Sequence, residues 1–135
     1  MRTVNIIIAY NLDRSKVLML LRQENPYLGL YNFPGGKVEK NETILESCYR
    51  ELAEETGITA NQITLNHAMT FCYNFLDYEL AIAVGEIDES VKLTPERHPL
   101  TWISTNEDFE DRKRFAGDGN IQHILDVLKY SEFNF

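Results

Sequence analysis

Three glutamates, Glu51, Glu54 and Glu55, stand at i, i+3 and i+4 within residues 43–56, where the pattern predicts a helix. On one helix face, like charges at these spacings are destabilising by about 0.2–0.5 kcal/mol per pair. The three also crowd the C-terminal half, where the helix dipole disfavours anions. A divalent cation such as Mg²⁺ would offset the repulsion, since it prefers carboxylate oxygens and keeps positions for water and phosphate. The face is therefore either a cation site or a solvated acidic surface paired with Arg50.

The helix expected over residues 43–56 carries start and stop signals of its own. Thr43 and Glu46 form a capping box, and Gly57 stands where a C-terminal cap is expected. A second face is apolar and is expected to pack on a sheet. That face consists of Leu45, Cys48, Tyr49 and Leu52.

The remaining chain alternates apolar, β-branched runs with turn residues, which predicts strands. Strands are expected at residues 4–10, 16–22, 63–75, 78–87 and 100–104. The first two are expected to form a hairpin, and residues 23–34 to form a loop. An amphipathic helix is expected over residues 120–130, with Asn120 as its N-cap. Strands on both sides of a central helix, followed by a terminal helix, predict an α/β fold with a mixed sheet between helices.

The acidic face belongs to a longer motif, GKVEKNETILESCYRELAEETGI, at residues 36–58. Its fixed positions are Gly36, Glu42, Arg50-Glu51-Leu52, Glu54-Glu55, Gly57 and Ile58. These nine residues match every fixed position of the Nudix box, so the chain resembles the Nudix hydrolases of the MutT-like kind. The resemblance implies that family's α/β/α sandwich around a mixed β-sheet, here as one domain over residues 1–135.

The resemblance also implies a metal site in the box. Glu51, Glu54 and Glu55 would bind Mg²⁺ or Mn²⁺, with the backbone carbonyl of Gly35 or Gly36 as a further ligand. Arg50 would hold a glutamate in place through charge-assisted hydrogen bonds. Glu42 would support the site or bind the metal from outside.

The reaction implied by the family is attack of a metal-activated water on a phosphorus of a pyrophosphate linkage. A carboxylate within reach would accept the proton of that water. The family places this base either within the box, where Glu51 and Glu54 stand, or on a later loop. Glu96, six residues before Trp102, stands where MutT-like members carry an additional metal-binding glutamate, or else is an exposed loop acid. Glu86 and Glu89 are weaker candidates.

Substrate contacts are expected outside the metal ligands, beginning with the stretch before the box. Tyr31, Asn32 and Phe33 resemble the aromatic–Asn element of oxidised-purine triphosphatases, in which Asn32 would read a base edge and the rings would stack on it. The alternative is that both rings pack in a core or loop. Lys37 would meet phosphate, or is an exposed loop lysine.

A glycine-rich turn late in the chain, residues 114–120, resembles the place where the same triphosphatases carry base-recognition residues. Phe115, Asp118 and Asn120 are the candidates, although Asn120 also suits a helix N-cap. The ADP-ribose-cleaving branch often has a proline about fifteen residues beyond the box, where this chain has Cys72 and Tyr73. An aromatic residue there leaves dinucleoside polyphosphates open.

We expect a nucleoside triphosphate pyrophosphohydrolase that releases a nucleoside monophosphate and pyrophosphate, with an oxidised purine such as 8-oxo-dGTP as the favoured substrate. The alternatives are hydrolysis of ADP-ribose, a dinucleoside polyphosphate or another nucleoside diphosphate derivative. A nucleotide-binding sensor without turnover is a further alternative from another functional class.

Composition sets limits on partners and location. The 135 residues include 13 basic and 21 acidic side chains, a net charge of −8, which argues against polymeric nucleic acid as a partner. No apolar stretch approaches the roughly 20 residues of a membrane span. Residues 4–8 suit a strand better than a signal peptide, and two isolated cysteines suit a reducing compartment. We therefore expect a cytoplasmic protein, monomeric or homodimeric, that acts on a small nucleotide.

Overall fold

Seven strands and two helices make up the part of the chain that the computed structural model describes, residues 1–131. In chain order they are β1 (Arg2–Tyr10), β2 (Lys16–Leu21), β3 (Tyr31–Asn32), β4 (Gly35–Lys37), α1 (Ile44–Thr56), β5 (Asn66–Tyr73), β6 (Tyr78–Glu86), β7 (Leu100–Ser104) and α2 (Asn120–Tyr130). One turn of 3₁₀ helix, Asn74–Leu76, connects β5 to β6.

Strand β1 lies at the centre of the sheet. It pairs in parallel with β6 from Arg2↔Tyr78 to Tyr10↔Glu86, and antiparallel with β4 on its other side. The strand order is β3-β2-β1-β6-β5, with β4 added on β1 and β7 added on β2. Because parallel and antiparallel neighbours share one sheet, the expected mixed sheet is confirmed.

The hairpin expected between the first two strands is largely open. The pairing of β1 with β2 is confined to Tyr10↔Val17, after which the strands diverge. Beyond that point β2 pairs with β7 over five residues, and β1 pairs with β4. Strands β3 and β4 were not expected, because two- and three-residue strands are too short to show an alternating pattern.

The two helices cover opposite faces of the sheet. Ile7 and Ala9 of β1 face the α1 side, where they share a buried cluster with Cys48 and Leu52. Ile8 faces the other side, in a second cluster with the α2 residues Ile121, Ile124 and Leu128. This alternation along one strand separates the two cores, and the α/β/α sandwich is confirmed.

The helix ends test the local predictions. Helix α1 begins after Thr43 with the complete capping box and ends at Gly57, whose φ of 79° is left-handed, as expected. The expected N-cap of α2 is wrong: Gly119, with φ 88°, takes that position without a side-chain cap, and Asn120 is the first helical residue. Within residues 1–131 no helix is both long and apolar enough to cross a membrane.

Candidate active site

The C-terminal end of α1 brings the acidic residues together with a later loop. The loop that follows β6 returns to the exposed carbonyls of α1, where the N–H of Thr94 donates to the carbonyl of Thr56 at 2.8 Å. The N–H of Glu96 donates to the carbonyl of Glu55 at 3.4 Å. These bonds satisfy carbonyls that a helix end leaves unpaired, and they place Glu96 beside the box glutamates.

The diglycine Gly35-Gly36 lies between β1 and α1. The N–H of Gly35 donates to Glu55 Oε2 at 2.9 Å. A Cβ on Gly36 would stand 2.5 Å from Glu51 Oε1, and one on Gly35 would collide with the backbone oxygen of Asn5. Both positions therefore need glycine for close approach, and the two carboxylates of α1 flank the same short segment.

Arg50 organises the glutamates of α1 next to β4. Its guanidinium donates twice to Glu42, at 2.7 and 3.1 Å, and once to Glu51 at 3.0 Å. It also donates to the backbone carbonyl of Lys37 at 3.1 Å and approaches Glu54 at 3.5 Å. The paired geometry with Glu42 is charge-assisted and directional, so Arg50 fixes the carboxylates relative to β4.

The carboxylates differ in their electrostatic environment. The pKa of Glu55 is raised to about 7, mainly by burial, with smaller contributions from Glu51 and Glu96 that act against the lowering hydrogen bond from Gly35. Burial also raises the pKa of Glu51. The hydrogen bonds from Arg50 lower the pKa of Glu42. Burial thus disfavours the ionised forms of Glu51 and Glu55, and a bound cation would stabilise those ionised forms.

The donor set fits a hard divalent cation. Glu51 and Glu55 supply carboxylate oxygens, and the diglycine between them supplies backbone carbonyls, which are the donors that Mg²⁺ takes together with water. Among residues 1–131, however, no three acidic, histidine or cysteine side chains converge closely enough to hold an ion. Arg50 draws Glu51 and Glu54 toward itself, so waters would complete the coordination.

A cleft of about 220 Å³ opens beside Glu55. It is lined by Leu20, Arg22, Glu24, Glu55, Glu96, Arg97 and His98. Arg97 pairs with Glu24 at 2.7 Å, and the Nδ1 of His98 accepts from the N–H of Gln23 at 3.0 Å. Three carboxylates and two guanidinium groups in one cleft can accommodate a cation and a phosphate together.

The aromatic residues expected to stack on a base lie mostly in the core. Phe33 is 4% exposed and Phe115 is 1% exposed, and both belong to the cluster under α2. Tyr31 is half-buried, with its ring 6.1 Å from that of Phe115. Asn32 accepts from the N–H of Phe33 through its side chain at 2.8 Å. Because Phe33 and Phe115 have covered faces, we do not propose them as stacking partners.

The remaining candidates are placed as follows. Lys37 is the second residue of the box and ends β4 with an exposed side chain. Asp118 is exposed with φ 54°, and Asn120 donates to the hydroxyl of Tyr73 at 3.3 Å. Tyr73 stacks on Tyr78 at 4.9 Å, forming an aromatic pair at the end of β5. Asn120 thus bonds a side chain of the sheet where an N-cap was expected.

Four residues of this region were not singled out from the sequence. Asn5 and Ser47 form a buried hydrogen bond of 2.8 Å beside the diglycine. Arg22 and Arg97 line the cleft. Asn5 did give a signal, since it interrupts an otherwise apolar strand, whereas nothing in the sequence relates Arg22 to Arg97 across 75 positions.

The fold and the site together define a class: an α/β/α sandwich whose acidic helix packs against a glycine loop. The NUDIX domain family matches residues 1–110. The chain belongs to this family and is a Nudix hydrolase.

Similar curated proteins carry several activities. An ADP-ribose pyrophosphatase of Methanocaldococcus jannaschii is 46% identical over 44 residues, 33% of this chain and 26% of that protein. An 8-oxo-dGTP diphosphatase of Buchnera aphidicola is 39% identical over 59 residues, 43% of this chain and 45% of that protein. The chain therefore spans less than half the length of either relative. An asymmetrical bis(5'-nucleosyl)-tetraphosphatase of Sus scrofa is 27% identical over 120 residues, 80% of this chain and 82% of that protein.

Solved structures share the fold. A MutT structure described for Aliivibrio salmonicida and Vibrio cholerae superposes with a TM-score of 0.68 at 21% identity, covering 96% of this chain and 98% of that one. An Ap4A hydrolase of Caenorhabditis elegans superposes with a TM-score of 0.70 at 17% identity, covering 97% and 99%. A bifunctional NMN adenylyltransferase/ADP ribose pyrophosphatase of Francisella tularensis, complexed with AMP and a Mn ion, gives 0.72 at 21% identity, covering 96% and 41%.

Proposed function

We propose that this Nudix hydrolase cleaves the pyrophosphate linkage of a nucleoside triphosphate, releasing a nucleoside monophosphate and pyrophosphate, and that it requires Mg²⁺ or Mn²⁺. One observation carries the proposal: Glu51 and Glu55 flank the diglycine at the edge of a cleft that also contains Glu96, Arg22 and Arg97. The cation would be held by Glu51, Glu54, Glu55 and a carbonyl of Gly35 or Gly36.

The bound cation would neutralise phosphate charge and lower the pKa of a water molecule. Glu54 is the carboxylate of this site that Arg50 holds most weakly, since its side chain is 52% exposed and stands 3.5 Å from the guanidinium. It is therefore free to accept the proton of the attacking water, and Glu96 is the second candidate for this role. Arg50 keeps Glu51 in place through its 3.0 Å hydrogen bond. Arg22 and Lys37 would contact the phosphates.

The base of the substrate would lie toward Tyr31 and Asn32, with Asp118 and Asn120 as further contacts. An oxidised purine such as 8-oxo-dGTP remains the favoured substrate, supported by relatives with that activity that match 43% and 45% of this chain. We infer a cytoplasmic location from the two free thiols, Cys48 and Cys72.

A second candidate substrate is an asymmetrically cleaved dinucleoside tetraphosphate. Relatives with that activity match 71–80% of this chain, a larger share than the 8-oxo-dGTP relatives match. Tyr73 and Tyr78 stack on each other, and Asn120 donates to the hydroxyl of Tyr73. The two rings offer an aromatic surface for a second nucleoside.

A substrate panel tests the proposal. Initial rates are measured with 8-oxo-dGTP, dGTP, ADP-ribose and diadenosine tetraphosphate, with and without Mg²⁺, and products are separated by ion-exchange chromatography. We expect pyrophosphate as the inorganic product from a triphosphate. When the reaction is run in H₂¹⁸O, the product that carries the ¹⁸O, either the nucleoside monophosphate or pyrophosphate, identifies the phosphorus that is attacked. Release of orthophosphate, or preferred turnover of diadenosine tetraphosphate, would contradict the leading proposal.

The variants Glu54→Gln and Glu55→Gln are compared with Glu46→Gln as the matched control. Glu46 lies on the same helix, and glutamine keeps the acceptor oxygen that its capping bond to Thr43 needs. We expect the first two variants to lose at least a hundredfold in kcat and the control to stay within twofold. Full activity of both site variants under excess Mg²⁺ would refute the assignment of the metal site.

A further inference from the structure

Asn5 is a polar side chain buried in the central strand, between Val4 and Ile6. It is 2% exposed, and its neighbours along β1 are apolar. An amide in this position must find its hydrogen-bond partners within the protein, because water does not reach it. The hydrogen-bond partners of Asn5 therefore show which parts of the fold this residue connects.

Asn5 connects three elements. Its Oδ1 accepts from the N–H of Gly36 at 3.1 Å, and its Nδ2 donates to Ser47 Oγ at 2.8 Å. The hydroxyl of Ser47, itself fully buried, donates to the carbonyl of Ile44 at 2.6 Å. The N–H of Gly36 can only donate, so it requires the Oδ1 of Asn5 as its acceptor. The hydroxyl hydrogen of Ser47 already bonds the carbonyl of Ile44, so the Ser47 oxygen accepts from the Nδ2 of Asn5. These two partners determine the orientation of the Asn5 amide. One side chain of β1 thus ties β4 to the first turns of α1.

The bonds to Gly35 and Gly36 are consecutive along the backbone. Gly35 donates to Glu55, and Gly36 donates to Asn5. Because the peptide unit is planar, fixing the N–H of Gly36 also fixes the direction of the carbonyl of Gly35. Glycine residues have no side chain to restrict their backbone, so beyond the pairing of β4 with β1 this direction depends on the groups that receive their N–H bonds.

We propose that Asn5, supported by Ser47, is a positioning residue that sets the orientation of the Gly35-Gly36 backbone for cation binding. The inference rests on the proposed metal-dependent function. An apolar pair in place of Asn5 and Ser47 would take away the acceptor of the Gly36 N–H. The polar pair therefore gives this N–H a fixed direction in addition to the pairing of β4 with β1, and this is the orienting role.

The test compares Asn5→Ala and Ser47→Ala with Asn11→Ala as the matched control. Asn11 is also 2% exposed on the same chain segment, but its side chain bonds Ser15, Lys16 and Glu89 in the turn after β1. The Mn²⁺ dissociation constant is measured by electron paramagnetic resonance of free Mn²⁺, alongside the thermal midpoint of each variant.

We expect Asn5→Ala to raise the Mn²⁺ dissociation constant about tenfold, since residues that orient metal ligands contribute roughly 10–100-fold to affinity. Ser47→Ala is expected to act in the same direction but less strongly. The control is expected to lose thermal stability and keep its Mn²⁺ affinity within twofold. With saturating metal, the KM for the nucleotide should stay within twofold in all three variants.

The inference is overturned if Asn5→Ala melts at a lower temperature but binds Mn²⁺ as the wild type does, or if Asn11→Ala weakens binding equally. If Asn5→Ala does not fold, Ser47→Ala decides, because alanine favours the helix and unchanged affinity there would refute the role. A wild type that binds Mn²⁺ but hydrolyses no nucleotide would refute the proposed function alone. A wild type that binds no Mn²⁺ would refute both.

Discussion

Adding one methyl group at Gly35 or at Gly36 should have different effects, since one variant should lose mainly stability and the other mainly activity. In Gly36→Ala the new Cβ would stand 2.5 Å from Glu51 Oε1 and 2.7 Å from its Cδ, both at the end of a flexible side chain. In Gly35→Ala the new Cβ would meet the backbone oxygen of Asn5 and stand 2.9 Å from the Cα of Ile6. The first obstacle can move, whereas the second belongs to the central strand.

The size of each effect follows from these contacts. Ordinary contact begins at 3.4 Å, so the carboxylate of Glu51 must retreat by 3.4 − 2.5 = 0.9 Å in Gly36→Ala. A displacement of this size in a catalytic group can lower the rate by about a hundredfold. The stability should change by about 1 kcal/mol or less, since alanine restricts the unfolded chain and Arg50 keeps its hydrogen bonds to Glu42 and Lys37 when Glu51 moves. Forcing β1 to move in Gly35→Ala should instead cost about 3 kcal/mol.

Urea unfolding and initial rates with the best panel substrate separate the two outcomes. Gly36→Ala should keep the wild-type midpoint in urea and lose between about tenfold and a hundredfold in kcat/KM. Gly35→Ala should melt on the order of 10 °C lower. Full activity of Gly36→Ala would refute the reasoning, and so would an equal loss of stability in both variants.

Three further predictions concern other parts of the molecule. Thr43→Ala should lower the free energy of unfolding by about 1 kcal/mol because it removes the cap of α1, and an unchanged value in urea unfolding would contradict the capping role. A thiol reagent at pH 8 should label Cys72 in the native protein and reach Cys48 only in denaturant, because burial raises the pKa of the Cys48 thiol to about 11. Labelling of both thiols in the native protein would contradict this expectation. The hydrogen bond from Lys16 lowers the pKa of Glu89, so the stabilisation by this pair is present above the unfolded pKa of Glu89 and is lost as the pH falls through the lower folded pKa. The difference in stability between wild type and Glu89→Gln should therefore shrink below about pH 4. A difference that stays constant with pH would argue against this role of the pair.

Local rules of helix formation were enough to predict α1. Its capping box and its C-terminal glycine are contained within fifteen consecutive residues, and no distant part of the chain changes them. The box motif likewise identified the family, because its nine positions are fixed by spacing along the sequence. The same kind of reasoning failed at Asn120, because the left-handed backbone of Gly119 ends the preceding turn at the position where a side-chain cap was expected.

Features that depend on distant partners were outside the reach of sequence patterns. Phe33 and Phe115 are aromatic residues of the kind that nucleotide-binding surfaces contain. Only the packing of α2 on the sheet shows that they are core residues. The direction of Asn5 depends on Ser47, 42 positions away. Strand β4 exists because β1 lies beside it, since three residues of Gly-Gly-Lys have no strand preference of their own.

The position of β1 also has a consequence for how the protein is made. Each of its nine pairs with β6 joins residues 76 positions apart, as in Arg2↔Tyr78. During synthesis β1 and the diglycine are made before β6, so β1 has no parallel neighbour until residue 86 has been added. Contacts of such long range form slowly and leave apolar strand edges exposed in the meantime. We therefore expect β1 and the diglycine beside it to become ordered late, although they precede β6 along the chain.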